Sequence, residues 1–91
     1  MKLVKIENKE YEIITNYKNG YDEEAFINRY TDYFDDFDYV VGDWAYGKLR
    51  LKGFYDKNNE KCKEINNYDN LESYLKENCA FDCAYFVEKQ K

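Results

Sequence analysis

The sequence predicts an α+β fold: a single domain with a mainly antiparallel sheet of five or six strands and two helices, in the order ββαββ(β)αβ. Three observations lead there. Ninety-one residues suit one domain and fall short of two. Short runs rich in β-branched and aromatic side chains, bounded by polar turn residues, recur at both ends and in the middle of the chain. Two further stretches carry helix start signals followed by apolar residues at helical spacing. No internal repeat, low-complexity tract or Gly/Ser linker interrupts residues 1–91, so the whole chain reads as one unit.

Residues 3–6 and 11–15 are the first two strands, and the polar Glu7-Asn8-Lys9-Glu10 between them makes a hairpin. The first helix starts at Asp22, a natural N-cap. Glu23 and Glu24 follow in the first turn, where the helix dipole favours acids, and Tyr21 with Phe26 has the spacing of a hydrophobic staple. Phe26, Tyr30, Tyr33, Phe34 and Phe37 recur at helical spacing, which predicts a helix to about Asp36 with Arg29, Asp32 and Asp35 on its outer face. Residues 39–41 and 49–55 read as two strands joined through 42–47. The alternation Lys48-Leu49-Arg50-Leu51-Lys52 puts the leucines on one face and three cations on the other. Residues 61–65 form a weaker candidate strand beyond the turn 57–60. A second helix begins at Asp69 with a capping-box-like start and an apolar stripe of Leu71, Tyr74, Leu75 and Cys79. The last strand, 83–87, is apolar on both faces and belongs inside a sheet covered on both sides.

Eleven Tyr, six Phe and one Trp supply the large side chains that a small domain needs to bury enough surface. No apolar run approaches 18 residues, and Lys2, Lys5 and Glu7 break up the N-terminus, so we expect neither a membrane span nor an export signal. Three cysteines, an odd number, argue against a disulfide framework and for the reducing cytoplasm. A formal net charge of -5 argues against non-specific nucleic-acid binding. The charges are segregated: residues 22–43 carry eight acids and one Arg, whereas residues 48–63 carry six bases and two acids.

Four ordered motifs carry a resemblance. They are Asp22-Glu23-Glu24-Ala25-Phe26 with Arg29-Tyr30-Thr31-Asp32; Tyr39-Val40-Val41-Gly42-Asp43-Trp44; Leu49-Arg50-Leu51-Lys52-Gly53-Phe54; and Cys79-Ala80-Phe81-Asp82-Cys83-Ala84-Tyr85-Phe86-Val87. Together, over roughly residues 11–88, they resemble the YutD-like family of small bacterial proteins. The resemblance implies a small cytoplasmic α+β domain in a family without an established activity. The family pattern usually has Gly and Asn where this chain has Asp82 and Ala80.

The strongest candidate for a functional surface is the hairpin that carries Asp43, Trp44, Tyr46, Lys48, Arg50 and Lys52. Trp, Tyr and Arg anchor interfaces because they bury large area or make bidentate bonds with few soft torsions. We therefore expect a non-enzymatic cytosolic binding or regulatory module with a protein partner. A solvated strand edge, with Arg50 paired to an acid and Trp44 folded onto the core, is the competing reading of the same residues. Two other functions stay open. Cys79 and Cys83 could form a thiol-based redox or metal-responsive pair, although the predicted helix end and its apolar surroundings oppose a thiolate. The aromatic and cationic hairpin could instead stack on single-stranded RNA. The acidic stretch 22–38 lacks the ligand spacing of a calcium loop and reads as a solvated face. With no His, no nucleophile-base couple and four isolated glycines, the chain shows no catalytic motif and calls for no cofactor or metal.

Overall fold

The computed structural model describes residues 2–78 and 83–91. Its sheet contains β1 (Lys2–Ile6), β2 (Lys9–Tyr17), β3 (Tyr39–Ala45), β4 (Lys48–Phe54) and β5 (Tyr85–Gln90). They lie in the order β1-β2-β5-β3-β4, and each neighbouring pair is antiparallel. The last strand thus occupies the centre, as its two apolar faces predict. Helix α1 (Glu23–Arg29) covers one face and helix α2 (Leu71–Asn78) the other.

Because side chains alternate along a strand, each central strand feeds both cores. Val40, Leu49 and Phe86 pack with Phe26 of α1, Tyr11 and Ile13 on one side. Tyr39, Val41, Phe54 and Val87 pack with Leu71, Tyr74 and Leu75 of α2 on the other. Phe86 and Phe54 are fully buried in these two cores. Each contributes about 1.5–3 kcal/mol of transfer free energy, so a few aromatic residues per face offset the short chain.

The start of α1 is as predicted: Asp22 accepts a hydrogen bond from the Ala25 amide at 3.1 Å, and the Tyr21 and Phe26 rings lie 6.0 Å apart. The helix stops at Arg29, however, instead of running to Asp36. Tyr30 and Thr31 are extended, and a separate 3-10 turn covers Asp32–Asp36. The break lets the Tyr30 hydroxyl bond to Asp35, five residues on, a pair that a continuous helix would point in different directions. The same hydroxyl meets that of Tyr11 at 2.7 Å.

Residues 61–65 form no strand. Side-chain acceptors divert the backbone there: Asp56 takes the Asn58 amide, Asn59 the Lys61 amide and Asn66 the Lys63 amide. A single parallel bridge replaces the strand, with Tyr55 bonded through its amide to Asn66 and through its carbonyl to Tyr68. The acidic segment, read as a solvated face, also holds this loop. Asp36 receives the Tyr55 hydroxyl at 2.7 Å and Lys61 at 2.8 Å, and Asp38 receives the Asp56 amide and the Asn59 side chain. Among the described residues, no helix is long and apolar enough to cross a membrane.

Candidate functional site

β3 is longer than the sequence suggests, running to Ala45, and β4 begins one residue earlier, at Lys48, because the connection shrinks from 42–47 to Tyr46 and Gly47. Gly42 stays in the strand: a Cβ there would meet the Phe86 ring at 2.3 Å. Tyr46 and Gly47 have φ of 55° and 74°, the left-handed pair of a two-residue hairpin turn. That turn fixes the register and places Asp43 opposite Arg50 and Trp44 opposite Leu49.

The register divides the candidate residues between the two faces. Asp43, Arg50 and Lys52 lie on the α2 side. Arg50 Nη2 donates to Asp43 Oδ2 at 2.5 Å and to the Asn78 carbonyl at the end of α2 at 2.6 Å. Asp43 is only 1% exposed, and its carboxylate holds the Arg50 guanidinium above its ordinary pKa. Lys52 sits over the rings of Phe54 and Tyr74, at 5.2 and 5.6 Å. Trp44 faces the α1 side, half-buried against that core, with its indole N–H donated to the Gly20 carbonyl at 2.6 Å. Trp44 and Arg50 therefore do not share a surface, and both bond to their own chain. Of the six candidates, Tyr46 is fully exposed at 102%, and the exposed Lys48 makes no ion pair among the described residues.

A groove that the sequence alone does not reveal lies beside these two residues. It measures about 530 Å³, and its lining includes Arg29, Phe34, Tyr46, Lys48, Leu49 and Leu51. Arg29, like Lys48, makes no ion pair among the described residues. A second depression of about 280 Å³ adjoins it, sharing Phe34 and Leu51 and adding Tyr33, Phe37 and Ile65. The two run along the outer side of β4, which is an edge strand. Of the residues that line these two depressions, Tyr33, Phe34 and Phe37 all fall on the predicted inner stripe of α1. The 3-10 turn instead leaves Tyr33 67% exposed, so the stripe concealed it.

Away from the groove, Glu88 on β5 is fully buried, and neither carboxylate oxygen has a hydrogen-bond partner among the described residues. Desolvation pushes its pKa up to about 8. The buried Tyr21 hydroxyl is likewise unpartnered; burial first, then the charge of Glu88, raises it. Cys83 is disulfide-bonded, although the odd number of cysteines argues against a disulfide framework, and Cys62 is a free thiol. Cys79 lies outside the described residues. Among the described residues, no three His, Cys, Asp or Glu side chains are grouped to hold a metal ion.

Fold and surface together define a small α+β domain with a sheet sandwiched between two short helices and an open hairpin edge. The chain belongs to the YutD-like family: the family described as "Putative antitoxin YutD-like" matches residues 5–89. The Bacillus subtilis (strain 168) protein described as "Putative antitoxin YutD" is 48% identical over 88 residues, which is 97% of each chain. A solution NMR structure of the yutD protein from Bacillus subtilis superposes with a TM-score of 0.84 at 46% identity, covering 100% of this chain and 83% of that one.

Proposed function

We propose that this chain is a non-enzymatic module that captures a protein partner, as an antitoxin does, through the tip and outer edge of the 43–52 hairpin. One observation carries the reading. Tyr46 is fully exposed and holds a left-handed backbone conformation that costs a tyrosine roughly 1–2 kcal/mol. A large aromatic side chain left fully exposed, at a position that suits Asn or Gly, breaks a local rule, and such breaks concentrate at functional sites. The descriptions of the family and of the Bacillus subtilis relative as antitoxins agree with a protein partner. The contact surface centres on Tyr46 and Lys48, because Arg50, Lys52 and Trp44 serve the fold.

The test is affinity capture from a Bacillus subtilis lysate with the double variant Tyr46→Ala, Lys48→Glu beside the parent chain. A partner retained by the parent and lost by the variant, at unchanged circular dichroism, supports the reading. Equal retention by both chains sinks it.

A second reading has its own observation. The disulfide at Cys83 fits a thiol-based switch with Cys79 as its proposed partner. Such a switch predicts a midpoint potential close to that of the cytoplasmic thiol pool; a potential far below about -300 mV marks a purely structural bond.

A further inference from the structure

We infer that the groove along β4 receives a short extended segment of the partner that is acidic at one end and apolar at the other. The inference rests on the protein-capture reading above and names the chemistry of what is captured.

The groove is polarised. At the hairpin end it is lined by Arg29, Lys48 and Arg50 and by no acid, in a chain that carries 19 acids against 14 bases. Arg50 is already neutralised by Asp43, but Arg29 and Lys48 have no counter-ion among the described residues. Both line the same end of the groove, so a carboxylate seated there gains charge-assisted contacts. The far end carries one cation, Lys52, which already sits over the Phe54 and Tyr74 rings, and is otherwise lined mainly by apolar groups: Phe34 and Leu51 continue into the second depression, where Tyr33 and Ile65 stand 67% and 76% exposed. Together with Tyr46, they are three of the six large hydrophobic side chains most exposed in the described structure, and all three border this one track.

The length of the track sets the length of the occupant. β4 has seven residues, so at about 3.4 Å per residue the groove spans five to seven residues of extended chain. The free cations are too few to track a phosphate backbone, which favours a peptide over RNA.

Fluorescence anisotropy with synthetic probes tests the inference. The probes are a fluorescein-labelled heptapeptide with three Asp or Glu at one end and Leu or Ile at the other, its lysine-for-acid counterpart, and a single-stranded ten-nucleotide uridine RNA. We expect the acidic-apolar peptide to bind at least tenfold more tightly than the other two. Lys48→Glu with Arg29→Glu should remove at least tenfold of that affinity and most of its salt dependence. Tyr33→Ser with Ile65→Ser should weaken binding severalfold while leaving the salt dependence in place. Both double variants change exposed side chains, and circular dichroism checks that they fold. Equal binding of the lysine peptide, preferred binding of the RNA, or indifference to both double variants overturns the inference. If the heptapeptide fails while capture from lysate is still lost in Tyr46→Ala, Lys48→Glu, only the segment chemistry falls. If capture is also unchanged, the docking reading falls with it.

Discussion

A carboxyl group on the central strand, with Ile13 and Val40 opposite it in the sheet, remains protonated where other glutamates ionise. Glu88 has a folded-state pKa of about 8 against an ordinary value of 4.5, so the folded chain holds a proton that the unfolded chain releases as pH rises. Its contribution to stability is complete below about pH 4.5, declines across the interval to pH 8 and is lost above it. The decline is at most about 1.4 kcal/mol per pH unit. Glu88→Gln keeps the shape and removes the titration. We therefore expect the variant to match the parent at pH 4.5 and to exceed it by a few kcal/mol at pH 8.5, read as the difference between urea midpoints. Arg50 shows how a candidate binding residue becomes a structural one. Its guanidinium closes a pair with a carboxylate that is 1% exposed, so Arg50→Ala leaves Asp43 buried without its cation. Removing one member of a fully buried pair costs about 3–5 kcal/mol; with 43% of the Arg50 side chain in water, a loss on the order of 2 kcal/mol in urea unfolding is expected. An alanine at Arg50 is for that reason a poor probe of docking.

The hairpin of β3 and β4 decides what could be read from the sequence. Alternation on β4 placed the leucines on one face and the cations on the other, as the structure has it. Which face Trp44 would share depended on the turn, because a change of one residue in register reverses every side chain. With the connection read as 42–47, Trp44 and Arg50 could be neighbours. With a two-residue turn at Tyr46 and Gly47, they point apart. The first helix was overextended for a related reason. Its apolar spacing continues past Arg29, but Tyr30 leaves the helix to bond Tyr11 and Asp35, contacts that involve another element and leave no trace in local periodicity. The capping signal at Asp22 was legible and begins α1 as predicted, whereas Asp69, read as the start of the second helix, lies in a 3-10 turn, Tyr68–Asn70, capped by Asn67, and α2 begins at Leu71. The turn also yields a prediction. Tyr46→Asn puts at φ 55° a residue that tolerates the left-handed region, and it forms the Asn-Gly pair that this turn type favours. A gain of about 1 kcal/mol, or roughly 4–8 °C in thermal midpoint for a domain this size, should appear by calorimetry. The same variant should lose partner capture, so that stability and binding move in opposite directions.

The molecule as a whole is organised around a strand contributed from the far end of the chain. β5 lies between β2 and β3, and its ladders join the β1-β2 hairpin to the β3-β4 hairpin. The sequence foretold an interior position from the apolar run ending at Val87. It did not foretell the order, since nothing local specifies which strands pair, nor the continuation to Gln90, since Glu88 and Gln90 look like solvent-facing residues. Both are instead internal: Glu88 is buried, and Gln90 donates its side chain to the Asp35 and Phe37 carbonyls at 2.8 and 3.2 Å. Without β5, each hairpin would present an unpaired inner edge, Phe86 and Val87 would be missing from the two cores, and two isolated hairpins are marginal in water. A chain ending at Ala84 should therefore lose its cooperative urea transition and run as an expanded or aggregated species on size exclusion. Adding a synthetic peptide of residues 85–91 should restore part of the far-ultraviolet circular dichroism, because the strand it supplies pairs with both hairpins and completes both cores. A truncated chain that unfolds with the parent's midpoint would mean that the two hairpins are held together by something other than this strand.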